Sequence, residues 1–199
     1  MNGVETGGTG GMNADGYEVS VYRLELVRTG SVTSRTRYAN NPSQITHLFR
    51  RVAGKPDRVY FIAFYLDSQY RVTGAHVAAV GEVNFVHCPP TSVFKAALAA
   101  NAFAVVLARN EVSGPTALSE VDVELAHQME LAGAVLGIVV LDYVVVGSRG
   151  AVSLRRADRM LMPDAPNEVS DEELDARLWR MRNWPGAPPS PPAGTSGEP

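Results

Sequence analysis

ARNEVSGPTALSEVD, residues 108–122, is the stretch on which the fold of this chain turns. Before it stands FAVVLA, residues 103–108, an apolar run of the length and composition of a buried strand. After it, Val121, Leu125, Met129 and Ala132 recur at helical spacing up to about Gly137. Between the two lies a helix start. Ser119 can accept from the backbone three residues on, and Asp122 there suits the positive end of the helix dipole. A helix favours those two residues whether or not they carry chemistry. The stretch therefore reads as strand, loop and helix, with a further strand at residues 138–146.

Working outward, residues 58–66 (RVYFIAFYL) are aromatic and β-branched, as in a central strand buried on both faces. DSQY turns them into a second strand at 71–80, a hairpin with a short loop. Towards the N-terminus, Asn41 is placed to cap a helix at 42–52 with Pro42 in its first turn, Ile45, Leu48 and Phe49 on one face, and Gly54 at its end. Residues 18–27 (EVSVYRLELV) alternate imperfectly and read as a strand. Thr91 or Ser92 is expected to cap a helix over 92–102, and residues 152–154 could add a last strand. The expected fold class is α/β, a mixed twisted sheet flanked by helices.

The ends differ in character. Residues 1–16 are Gly-rich without apolar periodicity, and 186–199 form a Pro-rich tail; both are expected to be disordered. Residues 17–162 would be the domain. Residues 163–185 read as a linker and a short amphipathic helix, in which Ser170 and Glu173 form a capping box ahead of Leu174, Leu178 and Met181.

Composition narrows the function classes. The 199 residues suit one domain with tails, and 45% apolar with 20% charged residues fits a globular protein. A formal charge of −3 gives no general attraction to nucleic acid. Basic residues are almost all Arg, clustered at 35/37, 50/51, 155/156/159 and 177/180/182, and read as solvated faces or salt-bridge partners. Cys88 is the lone cysteine, so neither a disulfide framework nor a CxxC metal knuckle is available; it reads as a small core or loop residue. The N-terminus has no apolar core of a signal peptide, and the apolar run 132–147 is too short for a membrane span and is broken by Asp142. The expected location is the cytoplasm, with no membrane partner.

The frame Arg109-Asn110-Glu111, seven residues, Ser119, two residues, Asp122 resembles the metal signature of the JAMM/MPN metallo-isopeptidases, above all their RadC branch. YLDSQYRV (65–72), HVAAVGEVN (76–84), VFKAALAANAFAVVLA (93–108) and ELAGAVLGIVVLDYVVVG (130–147) look like RadC segments in the same order, so the resemblance runs from about Val19 to Leu161. It implies a site in which two imidazoles and a carboxylate hold zinc, a glutamate takes a proton from water, and a serine supports the oxyanion. On that frame the histidine positions fall on Arg109 and Glu111, the carboxylate on Asp122, the serine on Ser119 and the base on Val59. A family His-Pro pair falls on Pro89-Pro90, and a Leu-Asp-His on Leu141-Asp142-Tyr143. The histidines at 47, 76, 87 and 127 fall on none of these positions, and His127 is expected at the surface.

The resemblance therefore implies a metal-free, cofactor-free pseudo-enzyme that binds another protein or a second copy of itself. The alternatives are a metal-dependent hydrolase with unorthodox ligands, such as Glu111, Asp122 and a distant histidine, or a DNA-associated accessory factor. Arg109 and Glu111 share one side of an extended strand, so the Arg109 fork is expected to reach both Glu111 and Asp122 and tie the strand end to the helix start.

Overall fold

The computed structural model describes residues 19–34, 37–39, 41–112 and 116–161. The disordered ends expected at 1–16 and 186–199, the linker and helix expected within 163–185, and the Arg177, Arg180 and Arg182 cluster lie outside them.

Helix α1, Pro42–Ala53, starts as its residues dictate: the Asn41 side chain accepts from the Gln44 N–H at 3.0 Å, and Gly54 closes the helix at φ 69°. Strands β1 (Tyr60–Leu66) and β2 (Val72–Val80) form the expected hairpin. Its turn is held by Asp67, whose carboxylate accepts from the Gln69 and Arg71 N–H groups at 2.9 and 3.0 Å. Helix α2 (Pro90–Ala99), strand β3 (Ala104–Asn110), helix α3 (Glu120–Leu136) and strands β4 (Val139–Val146) and β5 (Ala151–Ser153) follow.

The five strands make one mixed sheet in the order β2-β1-β3-β4-β5, with β3 and β4 parallel and the other neighbours antiparallel. Helices cover both faces, which gives an α/β fold of three layers. On one face α2 and α3 bury Phe61, Leu107, Tyr143 and Val145; on the other α1 buries Ile62, Phe64, Val106 and Val144. Alternate residues of β1 feed the two cores, which is why its sequence is apolar throughout. Burying each large side chain fully contributes about 1.5–3 kcal/mol. Cys88 belongs to the α2–α3 core, where burial pushes its thiol up to about 12, and its neighbour His87 faces solvent. Among the described residues no helix is long and apolar enough to cross a membrane.

Four local expectations are corrected. Residues 19–27 form no strand: Val21 is 94% and Leu24 79% exposed, because no neighbouring strand pairs with them. Helix α2 starts at Pro90, with no side-chain cap from Thr91 or Ser92, since proline needs no N–H partner in a first turn; it ends at Ala99, before Asn101 takes a left-handed backbone. Of the expected α3 stripe, Met129 is buried and Leu125 and Ala132 pack against the core, but Val121 is 60% exposed, and Asp122, Val123, Ala126, Glu130, Leu131 and Gly133 are buried as well. His127 is half-buried, with Nε2 2.9 Å from the Arg159 carbonyl. Of the basic residues read as solvated faces or salt-bridge partners, Arg159 pairs with Glu120 at 2.8 Å, and Arg50 donates to the Gly147 carbonyl at 3.0 Å.

Candidate functional site

Strand β3 delivers Arg109 to the sheet face covered by α3. Arg109 pairs with Phe61 of β1 and Val145 of β4, so it stands in the middle of the sheet at the end of a strand. Ser119 caps α3 directly opposite. Its hydroxyl accepts from the Asp122 N–H at 3.2 Å, while the Asp122 carboxylate accepts from the Ser119 N–H at 3.0 Å. That reciprocal box turns Asp122 inward instead of leaving it on the helix surface.

The Arg109 fork meets it face on. Nε is 2.5 Å from Asp122 Oδ1 and Nη2 is 2.7 Å from Oδ2, while Nη1 reaches Glu111 Oε2 at 3.2 Å and the Asn110 carbonyl at 3.2 Å. Glu111 is held at the strand end by its own N–H, which donates to the Val146 carbonyl at 2.8 Å. The Ser119 hydroxyl donates to Asp122 Oδ2 at 2.6 Å, and the Tyr143 hydroxyl donates to Oδ1 at 3.0 Å. Tyr143 is oriented by an edge-on contact with Phe61, ring centroids 5.7 Å apart. Val59 is buried on the same sheet face, at the start of β1.

The pair is largely dry: the Arg109 side chain is 13% and that of Asp122 4% exposed. Burial opposes ionisation of Asp122, but the hydrogen bonds from Arg109 and Ser119 outweigh it and hold the carboxyl below its usual range. Burial also opposes the Arg109 charge; the Asp122 carboxylate more than offsets it and raises the guanidinium above its ordinary value. Burial, reinforced by the Asp122 charge, pushes the Tyr143 phenol well above its ordinary range. At neutral pH the cluster is therefore a guanidinium, an ionised Asp122 and a neutral phenol.

This arrangement binds its own parts. Both Asp122 oxygens are occupied by donors, Arg109 exchanges no proton near neutral pH, and Val59 transfers none. The donor set does not fit a zinc ion: the guanidinium stands between the two carboxylates that would have to share it. Among the described residues no three His, Cys, Asp or Glu side chains lie close enough to hold a metal together.

The structure thus brings together Arg109, Glu111, Ser119 and Asp122, with Val59 on the same face. Two members were not foreseen. Tyr143 was noted only as standing at a histidine position. Asn110, inside the frame itself, is buried and bridges strands: its Oδ1 accepts from the Tyr60 N–H at 2.7 Å and its Nδ2 donates to the Arg58 carbonyl at 2.9 Å.

Asp122 sets a pH dependence. A carboxyl depressed in the folded state contributes stability above its unfolded value near 4, and the contribution is lost as pH falls through the folded value. Thermal melts from pH 7 to pH 2.5 are expected to show a fall below about pH 4 that is shallower in Asp122→Asn. Parallel curves for the two proteins would show that Asp122 does not contribute.

A five-stranded mixed sheet flanked by three helices is consistent with a RadC/JAB-type fold. Residues 39–160 match the RadC-like JAB domain, and the chain belongs to that family. The match starts at Ala39, so residues 19–38 of the expected resemblance lie outside it. The chain is similar to a UPF0758 protein of Finegoldia magna, 30% identical over 117 residues that make up 59% of this chain and 52% of the relative. It is also similar to those of Rubrobacter xylanophilus (35% over 126 residues, 62% and 56%) and Methanosarcina mazei (28% over 136 residues, 68% and 59%). The chain spans about half the length of the curated relatives it matches.

Proposed function

We propose that this chain is a RadC-like JAB domain that acts by binding a protein partner, not by metal-dependent hydrolysis. One observation supports the reading above the others. The Arg109 guanidinium takes both oxygens of Asp122 and one of Glu111, the two acidic positions of the frame. A permanent cation on those carboxylates offsets part of their charge, but it supplies no open position for water and no Lewis acid. The fold then persists as a scaffold, tied by an ion pair at the strand–helix junction.

Elemental analysis tests this. Protein purified without chelator is expected to carry well below one zinc per chain. The double variant Arg109→His, Glu111→His, which sets two imidazoles beside Asp122, is expected to take up more zinc than the wild type. One tightly held zinc per wild-type chain would overturn the reading in favour of a hydrolase with unusual ligands.

A further inference from the structure

The outer strand of the sheet and the exposed arm that precedes α1 are each half of a pairing. β2 is bonded to β1 along one edge. On its other edge, among the described residues, only its first turn is matched: Tyr38 bridges Arg71 antiparallel, and the Val72 N–H donates to the Arg37 carbonyl at 2.7 Å. Beyond that point no described residue pairs with the edge, and Val77 and Val80 are exposed. Helix α1 packs over β4 and β5, so it does not cover this end of the sheet. Residues 19–27 match β2 in length and expose Val19, Val21, Tyr22, Leu24, Leu26 and Val27 to solvent. As a strand they would present Tyr22, Leu24 and Leu26 on one face and the Arg23–Glu25 pair, 2.7 Å apart, on the other.

We propose that residues 19–27 pair with the free β2 edge of a second copy of this chain, so that two copies exchange arms across a two-fold axis. The register explains why the arm reaches another molecule. Extending the antiparallel Tyr38–Arg71 bridge lays residues 37 to 29 beside 72 to 80 of the same chain, and carries 19–27 past the end of β2. The polar run 29–37, TGSVTSRTR, has little apolar surface to offer that edge. A second copy brings both an arm and an edge, so one symmetric exchange satisfies both in both molecules. Tyr22, Leu24 and Leu26 of the arm would then cover Val77 and Val80 where α1 does not. An unpaired edge is otherwise open to indiscriminate pairing. The β2 edge is separate from the Arg109 cluster, and the exchange needs nothing of its chemistry.

Light scattering on the full chain is expected to give twice the chain mass, with hydrogen-exchange protection over residues 19–27 that is lost on dilution. Leu24→Glu with Leu26→Glu alters only exposed arm residues; it is expected to halve the mass. Three outcomes would overturn the proposal: a monomer at tens of micromolar, a dimer unaffected by the arm variant, or a monomer whose residues 19–27 are protected, which would mean that the arm folds back on its own chain.

Discussion

Replacing Arg109 with alanine is expected to lower folding stability by about 3–5 kcal/mol, the usual cost of removing one member of a buried pair. For a domain of this size that is a fall of roughly 10 °C or more in melting temperature. The cost is high because Asp122, 4% exposed, would keep only Ser119 and Tyr143 as partners while remaining out of water. Asp122→Ala in the same background removes the stranded charge and should recover part of the loss. The recovery is partial because Asp122 also completes the α3 capping box, and a lost cap costs about 1 kcal/mol. Arg109→Met separates charge from packing, since it keeps most of the side-chain volume. Arg109→Lys keeps the charge but loses the fork that spans both Asp122 oxygens, so its stability should lie between wild type and alanine. If Arg109→Ala lies within about 1 kcal/mol of wild type, the pair behaves as a solvent-screened surface bridge and does not clamp the junction.

Asn110→Ala is expected to cost about 1–3 kcal/mol, because it leaves the Tyr60 N–H and the Arg58 carbonyl without their partner at a part-buried strand end. Asn110 stands in for backbone pairing where β1 begins: its carbonyl serves the Tyr60 N–H and its amide the Arg58 carbonyl. The same strand start carries Val59 into the core beneath Arg109, so loosening it should also loosen the site. Asn110→Asp gives a sharper test. It keeps the acceptor for Tyr60 but sets a second acceptor against the Arg58 carbonyl. Protonation replaces that acceptor with a donor, so the gap between Asn110→Asp and wild type should narrow as pH falls through the carboxylate range. Chemical denaturation at pH 7 and pH 4 measures it; a constant gap would mean that the Arg58 contact contributes little.

Sequence by itself determined what local rules control. Asn41 and Pro42 start α1, Asp67 turns the β1–β2 hairpin, and Ser119 with Asp122 starts α3, because each uses hydrogen bonds within a few residues. The Arg109–Asp122 clamp was legible through the family resemblance: its frame sets residues 109, 111 and 122 around one site, and alternation puts Arg109 and Glu111 on one side of the strand. Continuous apolar runs likewise marked β1 and β3 as buried strands.

Tertiary structure decided what depends on a partner distant along the chain. Residues 19–27 have a strand-like pattern, but a strand forms only where an edge pairs with it, and periodicity does not say whether one is available. Asn110 bonds residues 50 and 52 positions away, and Tyr143 bonds one 21 away, so neither contact leaves a local spacing to read. The rotation of α3 is the clearest case. Hydrophobicity favoured Val121 facing the core, but the buried Arg109 needs Asp122 turned inward. With Asp122 turned inward, Val123, Ala126, Met129, Glu130, Leu131 and Gly133 are buried along the helix and Val121 is exposed.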